Sequence, residues 1–598
     1  MSSSPLIRSW LYSHVPPHRN RYGAYLSQDQ VAELVRPHPD TVELIGAWLV
    51  HHGIRSSSIS TTHGGGWLTV SGVLVSQANE MLGASYRIYR NAKTNDTIVR
   101  TVGYGLPTVL HGHIKTVAPT TYFPSTRVRG QTPRRRSLGG PPAQGASGNL
   151  ATPLSSRGYH GPIDPGMLRW LYRTFPYQPT ANGRNRLAVV GFDGELPSQE
   201  DLTVFMTHFS KKSQAATFTI EQVNGGVNFP DYTPGLGNTE VQYASAMAYP
   251  TPLVFYSAGG TLVWNQEEGE ARAPIAGDKY LEWFHHVFRE GNIPQTISLS
   301  DGEIELALPP EYAANLCFLF AVLGAQGVSV LAASGSDGVG EGDCWTNMGF
   351  RRFKAEFPAS CTCGVLSPLP STTSSTHHSP DHRDFAGPYV TAVGGTAGLS
   401  EWAAPNSGGG FSEYFERPPY QENLVPRYID ALDEDEYDGL FKCVRCRYPT
   451  LYSLCNMCSI LNRGYPDIAS ESFMCQSVVN YAIIFIGFES STSCAVSVCL
   501  SLFLVTSALR RPFSSTRLIV NVQTVAGIIS LINDFLISRN RPPLGFLNPW
   551  LYGAGSAGLK DITSGFNPGC GTKGFHAANG WDAVRSILYY RRWLIFVS

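Results

Sequence analysis

Two registers of apolar residues run along the chain. Gln28 to Val35 and Asp40 to His52 repeat them at helical spacing, with Ser27 and Asp40 placed to cap the two helices. Trp67 to Val73 and Ile98 to Gly103 read as strands. Residues 1–125 are therefore predicted to form a small α+β unit. A second pattern begins after residue 160. Strands at Arg186 to Phe192, Pro252 to Tyr256 and Val328 to Ala333 alternate with helices at Gln199 to Phe209 and Pro310 to Leu323. That alternation predicts a doubly wound parallel sheet with helices on both faces, and it places a site at the carboxyl ends of the strands. Between the two patterns, Arg127 to Arg157 is rich in Pro, Gly, Ser and Arg, with Arg134-Arg135-Arg136 at its centre. Such a stretch buries too little apolar surface to fold alone. Residues 126–160 are read as a linker, either an exposed basic cleavage site or a mere spacer.

Composition narrows the class. A chain of 598 residues exceeds one ordinary core, so two or more domains are expected. With 45 basic and 46 acidic residues there is no bulk field to favour nucleic acid or an anionic membrane. Met1 to Pro17 has no apolar h-region, so no signal peptide is read there. The longest apolar run, Cys494 to Leu509, falls short of the ~20 residues that span a bilayer, and no membrane span is expected. Asn95-Asp96-Thr97 is a glycosylation sequon, usable only in a secreted chain.

Specific motifs follow one another in order. The first segment carries Tyr22-Gly23-Ala24-Tyr25-Leu26-Ser27, Trp48-Leu49 with His52-Gly53-Ile54, Val99-Arg100-Thr101 with Gly105-Leu106-Pro107, and Pro119-Thr120-Thr121-Tyr122-Phe123. The large segment carries Ile293-Pro294-Gln295-Thr296-Ile297-Ser298, Leu323-Gly324-Ala325-Gln326-Gly327-Val328, Gly408-Gly409-Gly410-Phe411-Ser412 and Arg463-Gly464-Tyr465-Pro466-Asp467. Together they resemble the sedolisins, the serine-carboxyl peptidases that include the tripeptidyl peptidases. The resemblance implies a subtilisin-like α/β peptidase domain over residues 161–598. It implies an α+β pro-domain over 1–125 that covers the active site as an intramolecular inhibitor until it is removed. It also implies peptide or protein substrates, an acid working pH, secretion and a monomer.

Ser491-Thr492-Ser493-Cys494-Ala495, joined to Thr524-Val525-Ala526-Gly527-Ile528-Ile529-Ser530, reads as a tight turn entering an apolar helix. Free N–H groups at a helix start can hold an oxyanion. The joined piece resembles the family's nucleophile motif and makes Ser493 the candidate nucleophile. A hydroxyl of ordinary pKa needs a base. The family uses a Glu backed by an Asp one helical turn later, a spacing that puts both carboxylates on one face. The matching stretch here is Leu236-Gly237-Asn238-Thr239-Glu240-Val241-Gln242-Tyr243. Leu236 stands at the Glu position and accepts no proton. Glu240 stands at the Asp position, either recruited as base or a solvated helix side chain. The family's oxyanion-hole Asp has its counterpart in Ser334-Gly335-Ser336-Asp337-Gly338, where the acid, Asp337, arrives one position late. In an extended or tightly turning segment that displacement aims it elsewhere, and Ser336 could donate one hydrogen bond instead.

The resemblance extends to a Ca²⁺ site near the carboxyl terminus. Lys560-Asp561-Ile562-Thr563-Ser564-Gly565 and Ala578-Asn579-Gly580-Trp581-Asp582 match its two halves. They imply side-chain ligands from Asp561 and Asp582 and carbonyl ligands from Ile562, Ala578 and Gly580, an all-oxygen set suited to one Ca²⁺ ion. Four segments break the likeness: atypical inserts at 362–387, 442–461 and 496–523, and an aberrant tail at 585–598. Removing the internal three restores continuity, the pattern of translated introns. Val496 to Gln523 would have to leave the core as a long apolar loop. The second insert holds Cys443-Val444-Arg445-Cys446 and Cys455-Asn456-Met457-Cys458, a zinc-type pair with a short intervening loop. Cys344, Cys361 and Cys570 could pair in an oxidising compartment, with connectivity open. Two other readings stand beside the peptidase: a catalytically inactive, peptide-binding relative or mis-spliced product, and a zinc-ribbon interaction protein.

Overall fold

The computed structural model describes residues 22–62, 64–90, 97–123, 163–192, 195–226, 228, 236–259, 278–340, 344–346, 349, 351–361, 389–432, 437, 440–441, 462–472, 475–479, 481–486 and 519–584. The amino-terminal unit opens with α1 (Gln28–Val35), closed by a capping box. Ser27 Oγ accepts the Gln30 N–H at 3.2 Å, and Gln30 Oε1 accepts the Ser27 N–H at 2.9 Å. Next comes α2 (Pro39–His51), which begins one residue earlier than the expected Asp40 cap. Pro39 is preorganised for the first helical position and has no N–H to satisfy, so His38 becomes the cap, its Nδ1 accepting the Asp40 N–H. The antiparallel pair β1 (Ile59–Thr61) and β2 (Leu68–Val70), the helix α3 (Val75–Met81) and the antiparallel pair β3 (Arg87–Arg90) and β4 (Thr97–Arg100) complete it. Leu49, Ile54, Met81 and Leu82 are its small core.

The large unit is strand–helix alternation. In chain order its main elements are α4 (Pro165–Leu171), β5 (Leu187–Phe192), α5 (Gln199–Phe209), β6 (Phe218–Val223), α6 (Leu236–Ala248), β7 (Leu253–Ala258), α7 (Lys279–Glu290) and β8 (Thr296–Leu299). There follow β9 (Glu303–Ile304), α8 (Pro310–Ala325), β10 (Ser329–Ala333), β11 (Glu356–Phe357), β12 (Thr391–Ala397), β13 (Trp402–Ala403), β14 (Gly410–Glu416), β15 (Asn462–Tyr465) and β16 (Ile468–Glu471). The hairpin β17 (Cys475–Val479) and β18 (Ala482–Ile486) precedes the long helix α9 (Ile519–Ser538). The central sheet runs β13-β12-β10-β8-β5-β7-β6, with β16 also paired to β12, and every pairing is parallel except that of β13.

Period-two alternation divides the strands between two cores. Ala188, Val190 and Phe192 join Trp283, Phe284, Leu316 and Phe320 under α7 and α8. Leu187 and Val189 join Phe205, Tyr243, Met247, Val525 and Ile529 under α5, α6 and α9. Because both faces are covered, the strands are near-continuous apolar runs, as a parallel sheet requires. The fold is the expected α/β one.

Two helices of the second face, α6 and α9, start at the carboxyl edge of the sheet. α6 ends just before β7 begins, so it runs against the strands. In α9, Gln523 Nε2 donates to Ser300 Oγ just beyond the end of β8 at 3.0 Å, while Asn533 Nδ2 donates to Thr296 Oγ1 at the start of β8 at 3.1 Å. One expectation changes here. Ile519 to Gln523 were assigned to an insert leaving the core, yet they form the first turn of α9. Val520 and Val522 are fully buried, and Asn521 Nδ2 donates to the Val393 and Gly394 carbonyls at 3.1 and 2.7 Å. The apolar period of the helix simply continues upstream through Val520, and β12 gives that turn a polar anchor. This helix, Val520–Ser538, is long and apolar enough to cross a membrane, but it is buried inside the protein as a core helix.

Two disulfides are formed, Cys317–Cys361 and Cys344–Cys570. Both draw on the expected cysteines, and Cys317 of α8 supplies the partner of Cys361. The two CxxC pairs lie outside the described residues.

The amino-terminal unit is seated on the α7–α8 side. Leu26 N–H donates to the Ala325 carbonyl at 2.9 Å, and the Tyr25 hydroxyl donates to the Pro543 carbonyl at 2.8 Å. The Tyr25 ring fills a slot that exists because Gly327 and Gly545 lack side chains: a Cβ on either would stand 2.5 Å from a Tyr25 atom. Tyr122 stacks on Tyr312 of α8 with centroids 5.4 Å apart, and Arg100 Nε donates to the Tyr122 carbonyl at 2.7 Å. After Phe123, residues 124–162, which include the linker read at 126–160, lie outside the described set. The chain reappears at Ile163, whose carbonyl accepts the Tyr243 hydroxyl on the opposite side of the sheet at 3.5 Å.

Candidate active site

The carboxyl edge gathers the loops after β5 and β10 and the starts of α6 and α9. A Cβ on Gly527 would stand 2.4 Å from Met247 Cβ, so α6 and α9 approach to backbone distance at that point. Residues 236, 240 and 247 share one helical stripe. The stripe that meets α9 through Met247 therefore carries Glu240, and Leu236 at its upper end. Glu240 is 3% exposed, so the solvated reading of this carboxylate is excluded. Leu236 is also buried, an apolar group where the resemblance implies a proton acceptor.

The remaining polar residues of α6 act as a clamp. Asn238 Oδ1 accepts the Ser198 N–H at 2.7 Å, and its Nδ2 donates to Asp201 Oδ2 at 2.7 Å and to the Val478 carbonyl at 3.0 Å. Gln242 holds the same strand twice, donating to the Val478 carbonyl at 2.7 Å and accepting its N–H at 3.0 Å. Asp201 Oδ1 accepts the Tyr481 N–H in the hairpin turn at 2.8 Å. These contacts fix β17 on α6 and the hairpin turn on α5. Ser493 follows this hairpin in the sequence and lies outside the described residues. The clamp was missed in the sequence; Asn238 and Gln242, two amides one helical turn apart on α6, were its signal. Cys475, a reduced thiol in β17, is no rival nucleophile, because burial pushes its pKa well up.

The loop after β10 is threaded tightly. Ser334 Oγ donates to the Gly408 carbonyl at 2.8 Å, Gly338 N–H to the Asn406 carbonyl at 3.2 Å and Val339 N–H to the Asn567 carbonyl at 3.3 Å. Gly338 sits at φ +70°, and a Cβ there would stand 2.1 Å from the Pro568 carbonyl oxygen. The Cys344–Cys570 bond pins the same two segments. Within this frame Asp337 is exposed and Ser336 half-buried.

The last predicted site is brought together. Asp561 Oδ2 accepts the Gly580 N–H at 2.7 Å, and Asp582 Oδ2 accepts the Ala578 N–H at 3.1 Å. Asp582 Oδ1 also accepts the Val584 N–H at 3.1 Å, and this carboxyl is 1% exposed. Gly580 takes φ +87°, which turns the chain between the two acids. Two carboxylates thus bracket one turn that also carries the Ala578 and Gly580 carbonyls. That donor set fits a hard cation such as Ca²⁺. Among the described residues no group of three or more His, Cys, Asp or Glu side chains is placed to hold a metal ion, so any cation here depends on backbone oxygens.

Known proteins bear on this geometry. Residues 8–123 match the pro-kumamolisin activation domain. The chain is 28% identical over 598 residues to tripeptidyl-peptidase SED2 of Arthroderma otae, covering 96% of this chain and 86% of that one. It is 27% identical over 596 residues to tripeptidyl-peptidase SED4 of the same fungus, covering 96% and 84%. Among solved structures it is similar to Pseudomonas sedolisin complexed with pseudo-iodotyrostatin, with a TM-score of 0.44, 17% identity and coverage of 72% and 96%. With a pro-domain match across the docked amino-terminal unit and relatives aligned along nearly its whole length, the chain is similar to tripeptidyl-peptidases that carry a pro-kumamolisin activation domain.

Proposed function

We propose that this protein is a serine-type peptidase of the sedolisin class, acting on peptides at acid pH as a tripeptidyl-peptidase or endopeptidase. The observation that carries the reading is that α6 and α9 both start at the carboxyl edge and pack at Met247 and Gly527, with the Leu236–Glu240 stripe turned toward the helix that continues the Ser493 motif. In this reading Ser493 attacks the scissile carbonyl carbon, and Glu240 is the buried acid of the site. The loop carrying Ser336 and Asp337 faces the developing oxyanion, a role a hydroxyl or protonated carboxyl can fill. Residues 1–125 act as the intramolecular inhibitor, residues 126–160 are the activation linker, and residues 161–598 form the peptidase domain.

Asp561 and Asp582, with the Ile562, Ala578 and Gly580 carbonyls, hold one Ca²⁺ ion in this reading. Bound there, the ion adds rigidity to the 561–584 segment and takes no part in the bond-breaking steps. Two disulfides support an oxidising, extracellular setting, and the protein works as a monomer.

The test is hydrolysis of a tripeptidyl-releasing fluorogenic peptide at about pH 4 with Ca²⁺, where carboxyls are partly protonated. Activity that Ser493→Ala abolishes supports the reading. A second reading, an inactive peptide-binding relative, is favoured by Leu236 and Ser336 at the positions of a catalytic Glu and Asp; it would be upheld by a folded protein that binds peptide and never cleaves it.

A further inference from the structure

We propose that His285 makes the seating of the amino-terminal unit sensitive to acid: the unit docks over the neutral imidazole and is loosened when that ring takes a proton. The inference goes beyond the peptidase reading and stands whether or not the chain cleaves peptides. α7 turns Tyr280, Trp283, Phe284 and Val287 to the sheet and leaves Glu282, His285, His286 and Arg289 on the opposite face. His285 on its own helix would therefore face water. What covers it is Trp67 of the amino-terminal unit, whose ring meets the imidazole edge-on with centroids 6.0 Å apart. Trp67 is held where it enters β2: its N–H donates to Thr62 Oγ1 at 3.3 Å, and its carbonyl accepts the Thr62 N–H at 3.2 Å. One turn further along α7, Gln28 Nε2 of α1 donates to the Phe288 carbonyl. The unit thus closes over this stretch of helix at two points.

Under that cover His285 Nε2 is buried and has no hydrogen-bond partner in the protein. A cation gains something from an aromatic ring, but less than it loses when a buried N–H has no acceptor. The charges around the ring do not change the sign. Glu282 and Arg289 lie on its own face of α7, and His286 is turned to Glu221 at 3.1 Å. On the covering unit, α1 carries Asp29 and Glu33, with Arg36 paired to Glu33, while β1 and β2 carry no charged side chain. Burial lowers the His285 pKa from its ordinary 6.5, and Arg289 lowers it further. The docked form therefore binds the proton less well than the open form, in which the ring is wet. Docking is undiminished above the ordinary value and weakens by up to about tenfold for each pH unit below it, until the docked value is reached.

The test uses the full-length chain carrying Ser493→Ala, so that self-cleavage does not compete with opening. Hydrogen exchange at the α1 and β2 amides, corrected for the intrinsic effect of pH, reports how often the unit opens. The expected result is an opening constant that is flat above about pH 6.5 and rises by up to about tenfold per unit below it. His285→Phe keeps an aromatic ring against Trp67 and removes the proton site. It should cancel the rise between about pH 6.5 and about pH 5 while leaving opening at neutral pH nearly unchanged. Trp67→Ala should cancel the rise as well, but increase opening at every pH. A rise that persists in folded His285→Phe overturns the proposal, and one that persists in Trp67→Ala overturns Trp67 as the cover. Neither outcome touches the peptidase reading, which is decided by hydrolysis in the unaltered chain.

Discussion

Gly527 of α9 lies directly against Met247 of α6, where an added Cβ would stand 2.4 Å from Met247 Cβ. This contact sets the separation of the two helices whose amino ends frame the site. Gly527→Ala is expected to destabilise the protein by about 1–3 kcal/mol through overpacking, since the clash is with a Cβ and not with a mobile side-chain end. Urea unfolding would show a lower midpoint at unchanged slope. Adding Met247→Ala should restore part of the loss; an unchanged midpoint in Gly527→Ala would contradict the close approach.

Stability should be higher in acid. Burial pushes the Glu413 carboxyl up to about 8, with Arg352 opposing, against an ordinary 4.5. Between those two values the folded protein keeps a proton that the unfolded chain has released, so stability falls as pH rises through that window. Below the lower value the contribution is flat. Glu413→Gln should flatten the melting temperature across the window. An equally steep profile in that variant would assign the dependence elsewhere.

Calcium removal should lower the melting temperature. A ligand bound only by the folded state stabilises by about 2.7 kcal/mol at a hundred times its dissociation constant. Asp561→Asn, at an exposed carboxylate, should abolish the response to added Ca²⁺ and change the chelated protein little. Asp582→Asn should destabilise even the chelated protein, because Asp582 also accepts the Ala578 and Val584 N–H groups. A calcium shift that persists in both variants would move the ion to another place.

The pro-domain should depend on one ring. Tyr25 fills the slot between Gly327 and Gly545 and donates to the Pro543 carbonyl. Tyr25→Ala is expected to cost about 3–5 kcal/mol of docking, the range for emptying a large aromatic from its cavity. Limited proteolysis at neutral pH should then remove residues 22–123 faster, while the melting of the peptidase unit stays in place. Unchanged cleavage kinetics would show that docking is carried instead by Tyr122 on Tyr312.

Much of this protein was written in local pattern. Gln28–Val35 and Gln199–Phe209 form helices over the span their periodicity predicts, and the strands at 187–192, 253–258 and 329–333 stand within two residues of their expected ends. Backbone periodicity and capping are short-range effects, so nearby residues suffice to specify them. The motif order was equally legible, and with it the likeness to the sedolisins, because collinear matches need no coordinates. The boundary at Ile519 was not legible. Whether Ile519–Gln523 leaves the core or starts α9 turns on Asn521 finding the Val393 and Gly394 carbonyls, residues far away in sequence.

The site divides in the same way. Sequence alone gave Glu240, Asp561 and Asp582 their candidacy and marked Leu236 as a gap in the chemistry. Only the tertiary structure buried Glu240 on the stripe facing α9, left Asp337 exposed, and joined Asp561 to Asp582 across the turn at Gly580. The physical reason is that a spacing pattern fixes which side of its own helix a residue occupies. What faces that side is decided by the packing of strands and helices distant in the chain, and proton transfer depends on that facing.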